Sequence, residues 1–142
     1  MFHILFLCTH NRCRSILCEA IVGKRGQGIL RTSSAGSQPE GQVHPLTLKY
    51  LEEAGYRTEG LLSKGWDALA ADPPDLVVTV CDSAAGEACP LWLGETERFH
   101  WPLADPSKAP PPAEAQQFRQ TITLIESSLD GWLERARAHQ SS

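Results

Sequence analysis

The chain opens on a nearly unbroken apolar run, Phe2, Ile4, Leu5, Phe6 and Leu7, interrupted only by His3. A short run without alternation predicts a strand covered on both faces, as in a parallel sheet. It stops at Cys8. From Ser15 the period changes, with Ile16, Leu17, Ala20 and Ile21 on one helical stripe and Gly23 and Gly26 as candidate terminators. Residues 8–14 are therefore a strand-to-helix turn. A second strand is predicted over 30–34, then a loop over 36–41. Next comes a helix opened by Pro45 and closed at Gly55, with Leu46, Tyr50, Leu51 and Ala54 inward. Residues 75–80, rich in valine and preceded by two prolines, form the strongest strand pattern in the chain, and Cys81 follows directly. Residues 98–101 are a candidate fourth strand. The proline-rich stretch 105–112 predicts irregular loop. Beyond it Phe118, Ile122, Ile125, Leu129, Trp132 and Leu133 recur at helical spacing. They predict one last helix packed on the sheet, with Gly131 inside it at a cost of about 1 kcal/mol relative to alanine. The tail, 139–142, is expected to fray.

Strands alternating with helices predict an α/β fold: an open four-stranded parallel sheet with right-handed crossovers and helices on both faces. Such sheets bind ligands beyond the carboxyl ends of their strands, which is where Cys8 and Cys81 fall. The length, 142 residues, suits one domain over 1–142. The 13 basic and 17 acidic residues leave a net charge of −4, with neither sign gathered into a block. Nucleic-acid and membrane-surface partners are therefore not expected. No apolar run approaches the roughly 20 residues of a membrane span, and the apolar start lacks the cationic flank of an export signal. The expected location is cytoplasmic. Five cysteines, at 8, 13, 18, 81 and 89, make an odd count in such a chain and favour chemistry at sulfur over a disulfide framework.

Cys8-Thr9-His10-Asn11-Arg12-Cys13-Arg14-Ser15 sets an arginine six positions beyond a cysteine, between strand and helix. A loop of this length can wrap the backbone N–H groups of Thr9, His10, Asn11, Arg12 and Cys13 around a tetrahedral oxyanion at a helix N-terminus. Arg14 would clamp two oxygens in a bidentate fork. The same donors are expected to lower the Cys8 thiol pKa by roughly one to several units, making it a nucleophile at neutral pH. The Ser15 hydroxyl is placed to donate to that thiolate and to start the helix. Arg12 and His10 add charge to the loop or face solvent. Cys13 and Cys18 also read as small core residues. A zinc site drawing on these thiols and His10 is the other alternative, disfavoured because no Cys-x-x-Cys pair is present. Cys81 and Cys89 flank a small-residue segment, 82–88. They read either as mobile redox partners of Cys8 or as two unrelated cysteines.

The Cys-x5-Arg-Ser loop after an N-terminal strand resembles the phosphate-binding loop of the low-molecular-weight protein tyrosine phosphatases and of the arsenate reductases that share their fold. Ser34-Ala35-Gly36, the strand 76–80 and Asp105-Pro106 follow in the family's order. VVTVCDSAAGEACPLW and HWPLADP are similar to the redox and acid loops of the thioredoxin-linked arsenate reductases. The resemblance implies Cys8 as nucleophile, Arg14 as anion clamp and Asp105 as general acid, where Asp-Pro alone reads as a turn. It further implies a Cys8, Cys81, Cys89 disulfide relay that converts arsenate to arsenite. No bound cofactor or metal is expected. An external dithiol, thioredoxin or glutaredoxin with glutathione, would reset the relay, and the protein would act as a monomer. The alternative is a phosphotyrosine or small-ester phosphatase whose extra thiols protect Cys8. Ser107-Lys108 stand where the phosphotyrosine enzymes carry an aromatic pair. Related reductases hold a potassium ion near the counterparts of Asn11, Glu19 and Ser34. Here Ser63-Lys64 replace an acidic residue, so Lys64 is expected to supply the positive charge and no potassium requirement is expected. None of His3, His44, His100 and His139 is expected to act in catalysis, and the four tryptophans are expected as scattered core or rim aromatics.

Overall fold

The computed structural model describes residues 1–80, 96–101, 103–110 and 112–141. Strands β1 (Phe2–Leu7), β2 (Leu30–Ala35), β3 (Leu76–Thr79) and β4 (Glu97–His100) form one sheet in the order β2-β1-β3-β4, with every pair parallel. Every residue of β1 is buried, so both faces of the sheet are covered there, as the unalternating apolar run requires. Helix α1 (Arg14–Arg25) follows β1, and α2 (Pro45–Glu53) follows β2. The carboxyl half of the chain supplies α3 (Glu114–Ser127) and α4 (Leu129–Ser141).

Helices α1 and α4 cover the face that carries Ile4 and Phe6. Phe6 meets Trp132 of α4 edge to face at 5.8 Å, and Ser34, the β2 neighbour of Phe6, donates to Glu19 of α1. Phe99 and Trp101 close on Trp132 at 6.0 and 5.4 Å, so two of the expected scattered tryptophans belong to one aromatic cluster. Helix α3 packs beside α1 and α2 through the stacked pair Tyr50–Phe118 at 4.9 Å. Arg25 and Tyr56 both bond Glu126 at the far end of that contact.

Four expectations need correction. The last helix is two, because Ser128 takes local bonds at the junction: its hydroxyl donates to Ile125 O at 2.6 Å and accepts Trp132 Nε1–H at 2.9 Å. Gly23 lies inside α1, not at its end. A Cβ there would sit 2.5 Å from Thr32 Oγ1, so the glycine admits close packing on β2 while Gly26 caps the helix. Residues 106–108 form a 3₁₀ turn within the expected loop, since Asp105 caps it by accepting Ser107 N–H and Pro106 suits its first position. Helix α4 runs on through 139, where His139 lies against the Phe2 ring at 5.0 Å and 3.7 Å from Asp75. By contrast α2 ends as expected, with Gly55 at φ 90° beyond its last turn.

Candidate active site

The amide of Cys8, the first residue past β1, donates to Ala35 O at 3.2 Å, so β2 steers the chain into the loop. Three of the carbonyls that follow are taken by donors outside the loop. Thr9 O accepts from Gln38 N at 2.8 Å. His10 O accepts from Glu40 N and Ser63 Oγ, both at 3.1 Å. Arg12 O accepts from His44 N at 2.9 Å and from Thr47 Oγ1 at 3.3 Å. A trans peptide sets its C=O and N–H antiparallel. Carbonyls held outward therefore turn the N–H groups of His10, Asn11 and Cys13 the other way, toward the concavity. Asn11 makes the sharp bend at φ 49°, a left-handed conformation that asparagine tolerates. Gly36 leaves the loop room, since a Cβ there would lie 2.5 Å from Thr9 O and 2.8 Å from Cys8 O.

Cys8 Sγ lies 3.0 Å from Ser15 Oγ. The same hydroxyl oxygen accepts Asn11 Nδ2–H at 2.9 Å, while Asn11 Oδ1 accepts Lys64 N–H at 2.7 Å. When Cys8 is ionised its sulfur has no proton to give, and the Ser15 hydroxyl is then the donor across that contact. Arg14 begins α1 beside the sulfur; its Nη1 donates to Leu103 O at 3.0 Å and its Nη2 stands 3.8 Å from Asp105 Oδ2. Asp105 is oriented in turn by Ser107, whose N–H and Oγ–H donate to Oδ1 at 3.0 and 2.6 Å. One cavity of about 420 Å³ joins these groups, with Cys8, Arg12, Cys13, Arg14 and Asp105 in its wall.

The other two described thiols are unsuited to attack. Burial pushes Cys13 up to about 12 and Cys18 higher still, so both stay protonated. Cys13 nevertheless lines the cavity and is the residue before α1, whose N-terminus carries no side-chain cap. Ser15 does not start the helix as expected. It is the second residue of α1, fully buried, with its hydroxyl spent on Cys8. His10 is exposed at the rim, 3.8 Å from Glu40, and Arg12 is half-buried and faces the cavity. Cys81 and Cys89, on which the expected relay depends, lie outside the described residues, as does Trp92.

Lys64 Nζ lies 3.8 Å from Glu19 Oε1, beside the hydroxyl of Ser34. Burial pushes the Glu19 carboxyl up, and Lys64 and Ser34 pull it back down. A lysine ammonium therefore stands where a cation would have to bind Glu19, and these residues do not fit a potassium ion as well.

Sequence reasoning passed over Glu40, gave His44 no catalytic role and noted Ser107-Lys108 only as replacing an aromatic pair, yet all four line the cavity. Three carried a signal, because Ser107-Lys108 directly follow Asp105-Pro106 and His44 directly precedes the proline that opens α2.

The family described as low molecular weight phosphotyrosine protein phosphatase matches residues 3–142. The chain belongs to that family. Among its relatives, an arsenate reductase of Halalkalibacterium halodurans is 38% identical over 106 residues, 75% of each chain. A glutaredoxin arsenate reductase of Synechocystis is 29% identical over 75% of this chain and 79% of its own. The solved structure of an arsenate reductase in the phosphate binding state superposes with a TM-score of 0.79 at 25% identity, covering 96% of this chain and 99% of that one. Among the described residues, no helix of this family member is long and apolar enough to cross a membrane.

Proposed function

We propose that the protein is an arsenate reductase serving arsenic detoxification in the cytoplasm, with Cys8 as nucleophile and Cys81 and Cys89 as relay thiols. The observation that carries the reading is the Cys8 sulfur, met at 3.0 Å by the Ser15 hydroxyl, in one cavity with Arg14 and Asp105. Two relatives bearing the name arsenate reductase support the same substrate.

In this mechanism the loop N–H groups and Arg14 hold arsenate while the Cys8 thiolate attacks arsenic. Asp105 protonates the departing oxygen, which leaves as water, and a Cys8–arsenic(V) bond forms. The Cys81 thiolate then attacks Cys8 Sγ. The sulfur–arsenic bond breaks with both electrons going to arsenic, so arsenite departs and a Cys8–Cys81 disulfide remains. Cys89 attacks Cys81, releasing the Cys8 thiolate and leaving a Cys81–Cys89 disulfide. An external dithiol reduces that bond and supplies the two electrons taken by arsenic. Thioredoxin is the reductant favoured by the paired resolving cysteines, and the Synechocystis relative supports glutaredoxin with glutathione as the second arm of the test. No bound cofactor enters any step, and a monomer suffices for all of them.

The second reading, a phosphatase, rests on a specific observation: Cys8, Arg14 and Asp105 are a complete set for ester hydrolysis without Cys81 or Cys89. One experiment separates the two. Arsenate-dependent NADPH oxidation with thioredoxin and its reductase is measured beside para-nitrophenyl phosphate hydrolysis, in wild type and Cys81→Ser. The reductase reading requires NADPH consumption that vanishes in the variant. Ester hydrolysis in both proteins, with no NADPH consumption by either reductant system, leaves a phosphatase.

A further inference from the structure

His44 closes the loop from outside and faces the same cavity as Cys8, Arg14 and Asp105. Its position is fixed from two sides. The backbone N–H donates to Arg12 O at 2.9 Å, and its carbonyl accepts Thr47 N–H at 3.0 Å in the first turn of α2. Its ring is fixed as well, because Nδ1 accepts Leu46 N–H at 3.1 Å and caps the helix. A neutral imidazole whose Nδ1 is an acceptor must carry its proton on Nε2. Burial and the Arg12 guanidinium hold the ring toward that neutral form, against the opposing pull of Asp105 and Glu114. Among the described residues, no hydrogen bond occupies Nε2.

We infer that His44 is a specificity-determining residue whose Nε2–H donates to the oxyanion oxygen that faces out of the loop. This rests on the oxyanion-binding reading of the site and names which oxyanions it prefers. A free arsenate or phosphate presents an unsubstituted oxygen there, a strong acceptor. A monoester presents a bridging oxygen that accepts poorly and carries an organic group into the space before the imidazole. His44 therefore favours the free inorganic anion over its esters, by a contact distinct from those of Arg14 and the loop amides.

The test uses the full chain with Cys8→Ser, so that bound anions do not react, and measures binding of inorganic phosphate and of phenyl phosphate with and without His44→Asn. Asparagine keeps a capping oxygen for Leu46 N–H but lacks the outer N–H. Loss of one hydrogen bond predicts inorganic phosphate weakened by about three- to tenfold and phenyl phosphate by less than twofold. Equal weakening of both ligands, or of neither, overturns the inference while leaving the site reading intact. Failure of inorganic phosphate to bind the Cys8→Ser protein at all overturns both. Should the His44→Asn protein not fold, the ¹⁵N and ¹H shifts of His44 Nε2–H in the parent protein decide the matter. Added phosphate moves them downfield if His44 is a donor and leaves them in place if it is not.

Discussion

Asn11 Nδ2 donates to Ser15 Oγ at 2.9 Å, and the same oxygen lies 3.0 Å from Cys8 Sγ. Once Cys8 is ionised its sulfur can only accept, so the Ser15 hydroxyl donates to it across that 3.0 Å contact. A hydroxyl donor stabilises a thiolate over a thiol. Ser15→Ala should therefore raise the Cys8 thiol pKa by about one to two units, the worth of a hydrogen bond to a charged group. The pH dependence of iodoacetamide alkylation measures this directly, and an unmoved alkylation midpoint would show that the hydroxyl plays no part. Asn11→Ala should shift the midpoint in the same direction by less.

Arg14 presents one guanidinium nitrogen to Leu103 O at 3.0 Å and another toward Asp105 at 3.8 Å, so its planar fork is held by the segment that carries the acid, in the wall of the cavity it shares with Cys8. Lysine has the charge but not the fork. Arg14→Lys should lower kcat/KM for arsenate by roughly a hundredfold, about 2.7 kcal/mol of transition-state stabilisation, with little change in Tm. Near-normal turnover in that variant would remove the bidentate clamp from the mechanism.

Gly36→Ala places a methyl group 2.5 Å from Thr9 O and 2.8 Å from Cys8 O, both backbone atoms of the anion loop. Neither can move without shifting the nucleophile. We expect a stability loss of about 1–3 kcal/mol, as for overpacking elsewhere. Phosphate protection of Cys8 against alkylation should be lost along with it. Retained protection at wild-type strength would show that the loop has slack.

His3 is buried in β1 with Nε2 against Ser33 Oγ. Burial, and next the Arg31 guanidinium, lower its pKa below 6.5. The unfolded chain therefore takes up a proton at a higher pH than the folded one. This contribution to stability is fully present above pH 6.5 and is lost as the pH falls from there through the lower native value. Urea midpoints should fall across that window, and His3→Leu should flatten the fall. A midpoint equally acid-sensitive in the variant would place the effect elsewhere.

Lys64 Nζ pairs with half-buried Glu19 at 3.8 Å while its backbone N–H holds Asn11 Oδ1 at 2.7 Å. Reductase activity should not respond to potassium at constant ionic strength. Lys64→Gln keeps the backbone donor but leaves Glu19 without its cation, and should weaken anion binding severalfold with partial recovery in potassium. Steep potassium activation of the wild type would contradict the ammonium's role.

The strand-to-helix turn at residues 8–14 was legible because the apolar period changes there, from an unbroken run to a helical stripe. Cys8 and Arg14 were legible as residue types in a spacing that anion chemistry needs, and Gly55 as the end of α2, whereas Asp105 came from the family resemblance alone, since Asp-Pro by itself reads as a turn. The break at Ser128 was not. Phe118 to Leu133 keep a helical period straight through it, and the cause is a serine bonded to Ile125 and Trp132.

What the sequence by itself determined is whatever depends on neighbours along the chain: the strand order of types, the cysteine-to-arginine spacing, and the charge that argues against nucleic acid. Only the tertiary structure decided that Asn11 donates to the Ser15 hydroxyl oxygen, that Gly23 and Gly36 are contact points and not helix or loop punctuation, and that His44 lines the same cavity as the nucleophile. Those facts depend on Asn11 meeting Lys64, β2 meeting α1 and Arg12 meeting the start of α2. Such contacts join segments about ten to fifty residues apart, and no local period or propensity encodes the distance at which they close.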